Sequence, residues 1–360
     1  MSNVYIIAEA GVNHNGSCEM AFQLVDIAVK AGADAVKFQT FKPENMVTVK
    51  AQKANYQKHT TGDESQFSML KQLELAHDIH HELVNYCQQK GIDFLSSAFD
   101  SESLNFLVSD IGLKRLKIPS GEITNGPLLL EHALTGCDLI LSTGMATLGE
   151  VEEALSVIAF GLLNTRDNRV HPSRTAFQEA YLSAEGRQLL KNRVTLLHCT
   201  TEYPVSPNEI NLSAMLTMRK EFRLNVGYSD HSEGIAIATA ATTLGATMIE
   251  KHFTLDKSLP GPDHKASLEP DELKAMVNAI RIVKVAMGNG VKSPMPSEQK
   301  NIVIARKSLI ALKNIKKGEK FTAENITIKR PGTGVNPMEY WGIIGKVAQA
   351  DFLQDEVIEL

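Results

Sequence analysis

The sequence predicts an eight-stranded (β/α) barrel, the TIM-barrel architecture, followed by a small β-rich domain. Three observations predict it. Eight short apolar runs lie between residues 4 and 249 and alternate with helix-like segments. Each run ends in polar residues, as expected where the carboxyl ends of parallel strands carry a site. From about Ala305 the texture changes to β-like pieces broken by turns: SLIALKNI, KKGEKFT, ITIKRPGTG and DEVIEL. A doubly wound open sheet is the alternative, disfavoured because no GxGxxG follows the first strand.

In chain order, residues 4–8 form the first strand and end at Glu9, before Gly11, Asn13, His14 and Gly16. Residues 18–31 read as a helix with Ala21, Leu24, Val25 and Ala28 at apolar positions. The second strand, 35–38, ends in Lys37, Gln39 and Thr40. A polar excursion over 42–65 is long enough to be a functional loop. A helix over 78–90 leads to a strand at Phe94 and Leu95, ending in Ser96 and Ser97. Strands at 116–118 and 139–141 end in Pro119, Ser120 and Glu122, and in Ser142, Thr143 and Gly144. Residues 163–193 read as a polar surface insert whose charges form a solvated face. The strand at 194–197 ends in His198, Thr200, Thr201 and Tyr203.

The stretch 227–253 is the centre of the pattern. Two apolar runs flank a helix-like segment of small residues, which makes a βαβ unit with parallel neighbouring strands. The first run ends in Ser229, Asp230 and His231, the second in Glu250, Lys251 and His252. Two neutral imidazoles at adjacent strand ends, with carboxylates nearby, suit a borderline divalent metal. No HExxH, paired CxxC or EF-hand loop occurs. A barrel helix over 270–287 closes the first domain. The domains are thus 1–288, a linker over 289–304 with Pro294 and Pro296, and a second domain over 305–360.

Composition excludes other classes. With 360 residues, 22% charged and 43% hydrophobic, the chain is ordinary globular protein. A net charge of −5 argues against a nucleic-acid or membrane-surface partner. No apolar run approaches a membrane span, and the start lacks a basic-then-apolar leader, so a cytoplasmic protein is expected. The four cysteines, Cys18, Cys87, Cys137 and Cys199, have no close spacing and read as reduced thiols. Cys199 beside His198 is assigned to packing.

The predicted mouth carries Lys37, Lys117, Ser97, Ser120, Ser142, Thr143 and Ser229. Cations with several short hydroxyls are what a phosphate monoester needs. Lys37 or Lys117 could instead form a Schiff base, a chemistry with no use for the His231 and His252 pair.

The runs IAEAGVNHNG, AVKFQTF, KIPSGE, LSTGMATLGE, LLHCTTEYP, GYSDH, IEKHFTLDK and GPDHKASLEP resemble the sialic acid synthase family. IKKGEKFTAENITIKRPGTG resembles that family's C-terminal antifreeze-like (SAF) domain. The resemblance covers nearly the whole chain apart from the insert. It implies condensation of phosphoenolpyruvate with an N-acetylmannosamine-type sugar, giving N-acetylneuraminate, a nine-carbon 2-keto sugar acid, and phosphate. The alternative acceptor is the diacetamido 6-deoxy sugar that yields N,N'-diacetyllegionaminate. Two rival readings are a condensation with a phosphorylated sugar and a non-catalytic sugar- or ice-binding protein.

The resemblance also implies roles. His231 and His252 match metal ligands, with Mn²⁺ the usual ion and Mg²⁺ or Co²⁺ as alternatives. Lys37, Ser97, Lys117, Ser120, Ser142 and Ser229 match positions that hold phosphoenolpyruvate. Gln39, Tyr203, Glu250 and Asp263 match positions near the sugar, and Glu9 matches the acid beside the reacting carbons. Arg330 matches an arginine that reaches the partner's site in a domain-swapped homodimer. Thr201 stands where some members have Asn, and Ser97 replaces a Thr. Residues 51–58 depart from some members and are expected to face the sugar.

Overall fold

The computed structural model describes residues 3–54, Gln57, Thr61, 65–165 and 171–359. Most of 55–64, including part of the stretch expected to face the sugar, and residues 166–170 of the insert lie outside the described residues. The chain divides into two compact units, Met1–Gly288 and Asn289–Leu360.

In the first unit eight parallel strands close in sequence order: β1 (Tyr5–Gly11), β2 (Ala35–Thr40), β3 (Asp93–Ala98), β4 (Arg115–Ile118), β5 (Asp138–Ser142), β6 (Val194–His198), β7 (Asn225–Asp230) and β8 (Met248–His252). β8 pairs with β1 and completes the barrel. Side chains alternate across each strand, so the barrel has two separate cores. Ile6, Ala8, Val36, Phe38, Leu116, Leu141, Val226 and Ile249 pack outward beneath the helices. Ile7, Ala35, Leu95, Ile140, Leu197 and Met248 fill the interior as an apolar plug. Gly227 stands opposite Met248 because the strands come too close for a side chain. A Cβ there would lie 2.4 Å from the Met248 carbonyl oxygen.

Two residues further along the strands, the same inward face becomes polar. Ile7 is followed by Glu9, Ala35 by Lys37, Leu95 by Ser97, Ile140 by Ser142, Gly227 by Ser229 and Met248 by Glu250. All six are buried. The apolar plug is thus the floor on which a polar layer rests.

Helix ends carry the signals expected of them. The helix Cys18–Ala31 starts on the Ser17 side chain and stops at Gly32, which takes φ 81°. Leu148–Leu163 begins with a Thr147–Glu150 capping box. Two short helices, Pro43–Met46 and Gln66–Leu73, stand in and after the stretch read as a polar excursion. Only Met69, Leu70 and Leu73 of the second are buried, too few to show a period in sequence.

The insert adds a docked face to what its sequence led one to expect. Its helices Arg174–Leu182 and Ala184–Arg193 bury Ala180 and Leu190 in the main core. Phe177 packs edge-on to Phe160 at 5.2 Å between centroids. The insert therefore docks one face on the barrel's outer layer, while its charged residues, Arg174, Glu179, Glu185, Arg187, Lys191 and Arg193, are exposed as expected of a solvated face. Its apolar positions are sparse because only one face docks.

In the second unit β9 (Ser308–Ala311) pairs antiparallel with β10 (Ile326–Lys329). Leu309, Ile315, Phe321, Ile326, Phe352 and Ile358 form its small core. The KKGEKFT and DEVIEL pieces contribute single bridges, Lys320 to Val347 and Ile310 to Val357. Within the stretch read as a linker, a helix forms at Gln299–Ala305.

His132 sits fully buried in the helix Gly126–Leu134, and burial pushes its imidazole down to about 4. Its Nδ1 donates to the Leu128 carbonyl at 2.8 Å, and its Nε2 has no partner. Between the unfolded value near 6.5 and about 4, the unfolded chain binds a proton that the folded protein refuses, so stability falls as pH falls. The ceiling of this effect is about 3 kcal/mol at pH 4. His132→Leu is expected to flatten the decline of melting temperature between pH 6.5 and 4. An unchanged slope would show that His132 is not the acid-labile group.

Candidate active site

The polar layer at the carboxyl end of the barrel places two carboxylates and two ammonium groups within one ring. Lys37 Nζ lies 2.7 Å from Glu9 Oε2 and 3.5 Å from Glu250 Oε2. Lys117 Nζ lies 3.4 Å from Glu250 Oε1. Ser229 Oγ donates to Glu250 Oε1 at 2.8 Å, Lys37 Nζ to Ser97 Oγ at 3.2 Å, and Gln39 Nε2 to Glu9 Oε1 at 3.4 Å. Strand register makes this compact: Glu9 pairs with Lys37 across β1 and β2, and Ser229 with Glu250 across β7 and β8.

The environment drives the two acids apart. Burial pushes the Glu9 carboxyl up, with the Lys37 ammonium only partly opposing it. Glu250 is buried equally, but Lys117, Lys37 and the Ser229 hydroxyl outweigh burial and hold it low. Burial works against charge on both lysines. Glu250 and Glu9 reverse this for Lys37, whereas Lys117 ends below its ordinary value. Glu9 is thus the group able to carry a proton near neutral pH, and Glu250 the fixed charge.

His231 and His252 stand above this layer, their ring centroids 5.5 Å apart. Burial pushes His231 down to about 4, and burial with the neighbouring His231 lowers His252 well below the ordinary imidazole range. His231 Nδ1 meets the Thr200 carbonyl at 2.5 Å. A carbonyl only accepts, so Nδ1 carries the proton and Nε2 keeps its lone pair. His252 Nδ1 is buried without a hydrogen-bond partner, 3.8 Å from Asp263 Oδ2. Burial raises Asp263 to about 6. The Tyr203 ring lies 4.1 Å from that of His231 and edge-on to His252 at 5.6 Å.

Among the described residues no group of three or more His, Cys, Asp or Glu gathers around a metal position. Two neutral imidazoles nevertheless fit a borderline divalent ion, and they would leave its other positions to substrate oxygens and water.

A cluster of hydroxyls lies at the carboxyl ends of β4, β5 and β6. Ser142 Oγ and Thr200 Oγ1 are buried without partners, a costly state that an anionic ligand would relieve. Ser120 Oγ accepts from the Gly144 amide at 2.9 Å and meets Cys199 Sγ at 3.2 Å. A Cβ on Gly144 would stand 2.8 Å from both Ser120 Oγ and Thr201 Cγ2, so Thr201 turns its methyl toward this corner.

The barrel thus brings together Glu9, Lys37, Gln39, Ser97, Lys117, Ser120, Ser142, Tyr203, Ser229, His231, Glu250, His252 and Asp263. Arg330 lies in the second unit, where its Nε donates to the Ala305 carbonyl at 3.1 Å. Several strand-end residues face elsewhere. Thr143 spends its hydroxyl on the Leu197 carbonyl at 2.9 Å. His198 turns outward to the Ile210 carbonyl while Cys199 turns inward, so they form no dyad. Asp230 and Lys251 pair with each other on the helix side and do not face a metal position. Gly11, named in the sequence without a role, lies against the site. It takes φ 53° and passes so close that a Cβ would lie 3.3–3.4 Å from Glu9, His252 and Gln39.

Residues 24–292 match the NeuB family and residues 306–359 match the SAF domain. The chain belongs to the NeuB family. It is 50% identical over 99% of its length to an N,N'-diacetyllegionaminic acid synthase of Campylobacter jejuni, covering 99% of that protein. A protein of the same name from Legionella pneumophila is 44% identical over 95% of this chain and 89% of its own. Among solved structures, the N-acetylneuraminic acid synthetase of Leptospira borgpetersenii in complex with citrate aligns with a TM-score of 0.66. It is 33% identical over 84% of this chain and 90% of that one. This NeuB member is an enzyme that forms a carbon–carbon bond. These relatives favour the diacetamido alternative over the N-acetylmannosamine reading of the sequence.

Lys37→Met removes the cation that holds Glu9 down. The Glu9 carboxyl midpoint, followed by ¹³C-carboxyl NMR titration, is expected to rise by more than about one unit. An unmoved midpoint would mean that the Lys37–Glu9 pair does not set Glu9's proton affinity.

Proposed function

We propose that this enzyme condenses phosphoenolpyruvate with open-chain 2,4-diacetamido-2,4,6-trideoxymannose, giving N,N'-diacetyllegionaminate and phosphate. The carrying observation is the juxtaposition of two buried lysines and orphaned hydroxyls with two neutral imidazoles in one closed mouth. The choice of sugar is supported by the 50% identity to the Campylobacter synthase over nearly both full chains.

In this reading Lys117, Ser120, Ser142 and Ser229 receive the phosphate, and Lys37 with Ser97 the carboxylate end. Entry of the anion exchanges Lys117's loose 3.4 Å contact to Glu250 for charge-assisted bonds to phosphate. Gln39, Tyr203, Glu250 and Asp263 orient the sugar so that its aldehyde carbon meets the vinyl carbon of phosphoenolpyruvate. The vinyl electron pair forms the new carbon–carbon bond, the aldehyde π pair moves onto its oxygen, and that oxygen takes a proton from the protonated Glu9 carboxyl. The resulting cationic enol carbon takes the oxygen of water, whose proton Glu9 accepts. The tetrahedral centre then expels phosphate by C–O cleavage, its hydroxyl proton passing to the departing phosphate, and leaves the 2-keto acid. A divalent ion held by His231 and His252, Mn²⁺ above Mg²⁺ or Co²⁺, would supply Lewis acidity to the aldehyde oxygen.

Both candidate sugars are to be offered with phosphoenolpyruvate, and phosphate release and product mass followed. The diacetamido sugar is expected to give a kcat/KM at least about tenfold higher, within the range a methyl-versus-hydroxymethyl pocket commands. Preference for N-acetylmannosamine would reverse the choice of acceptor. Release of phosphate with neither would remove the condensation itself.

We also propose, from the family resemblance, a domain-swapped homodimer in which Arg330 serves the partner's mouth, its planar fork contacting an acetamido oxygen. A second unit with so small a core gains from docking on a partner. Mixing inactive Arg330→Ala with inactive His231→Ala is expected to restore up to about a quarter of wild-type activity through mixed dimers. No recovery on mixing would place Arg330 in its own chain's service.

A further inference from the structure

Directly behind the two imidazoles, on the helix-facing side of the sheet, lies a buried ion pair without a role in the chemistry above. Asp230 and Lys251 are register partners across β7 and β8. Lys251 Nζ lies 3.0 Å from Asp230 Oδ2, and both side chains are wholly inaccessible to solvent. The layer they occupy is otherwise apolar, with Val226, Tyr228, Ile249 and Phe253 as strand neighbours. Both charges converge on Ser232. Asp230 Oδ1 accepts from the Ser232 amide at 2.9 Å and from its hydroxyl at 2.6 Å. Lys251 Nζ donates to the Ser232 carbonyl.

Stability does not account for such a pair. Desolvating two charges costs several kcal/mol each, and well-packed apolar residues in the same volume are often as stable or more so. Position does account for it. His231 lies between Asp230 and Ser232, so the backbone on both sides of it is gripped. Its carbonyl accepts from Val205 N at 3.0 Å, and its Nδ1 donates to Thr200 O. His252 follows Lys251 directly, and its carbonyl accepts from Leu268 N at 2.9 Å. One pair therefore ties the backbones that carry both imidazoles.

We propose that Asp230, Lys251 and Ser232 form a positioning clamp that sets the separation of His231 and His252 and the tautomer of His231. The clamp acts from outside the barrel wall and touches no substrate. Its effect on metal rests on the ligand roles proposed above, whereas its effect on the His231 tautomer does not.

The test replaces the charges together, so that neither is left buried and unpaired: Asp230→Leu with Lys251→Met. Ser232→Ala is the milder companion, because it removes one hydroxyl contact and leaves the ion pair intact. In metal-free wild type, ¹⁵N-edited NMR should show the His231 Nδ1 proton as a downfield, slowly exchanging resonance. In the double variant that resonance is expected to broaden or vanish, while the melting temperature stays within a few degrees. Mn²⁺ affinity, titrated by the metal's EPR signal, should fall on the order of 10- to 100-fold. The kcat should fall with it, and the KM for phosphoenolpyruvate should change less than the Mn²⁺ affinity, since Lys117, Ser120 and Ser142 lie on or just after β4 and β5 and only Ser229 shares a strand with the clamp. Ser232→Ala should move each readout the same way by less, and it decides the matter if the double variant does not fold. Folded variants with the wild-type resonance, Mn²⁺ affinity and kcat would overturn the clamp. A wild type that binds no Mn²⁺ would instead overturn the metal-ligand roles, with the His231 resonance still deciding the clamp.

Discussion

The site depends on one constraint: four ionisable groups are held out of water inside a closed ring of strands. Each would be costly alone, and each is tolerated because an opposite charge faces it: Glu9 meets Lys37 on the neighbouring strand, and Glu250 meets Lys37 and Lys117 across the barrel interior. Parallel register imposes the Glu9–Lys37 pair and sets the Ser229 hydroxyl beside Glu250. The apolar plug of Ile7, Leu95, Ile140, Leu197 and Met248 closes the floor beneath them. Without that floor water would screen the charges, and the two carboxylates would titrate alike.

Unequal sharing of the cations turns burial into chemistry. Glu250 draws on both lysines and on Ser229, whereas Glu9 draws chiefly on Lys37. The result is one fixed anion and one proton carrier within a single layer. The same burial keeps His231 and His252 neutral, the form in which an imidazole offers a lone pair.

Each strand end serves two faces, and the division of labour follows the pleat. Inward residues of β7 and β8 are Ser229 and Glu250, with His231 and His252 above them. The residues between, Asp230 and Lys251, turn outward and join each other. Likewise Cys199 faces the mouth, while His198 faces the helices.

Much of this was legible in the chain. Apolar runs ending in Glu9, Lys37, Ser97, Lys117, Ser142 and Glu250 announced strands with a reactive edge, because strand formation and its polar ending are local properties. The βαβ pattern over 227–253 placed two histidines side by side for the same reason. The docked face of the insert was not legible, since a few apolar residues on two short helices make no period. Nor were the helix Gln66–Leu73, the Thr143 hydroxyl turned onto a backbone carbonyl, or the outward pairing of Asp230 with Lys251. The sequence by itself determined which residues sit at the strand ends and which chemistry they hold. Only the tertiary structure decided which side of the wall each one faces and how protons are shared among them. Those depend on register, burial and the distance to charges on other strands, none of which is a property of neighbouring residues in the chain.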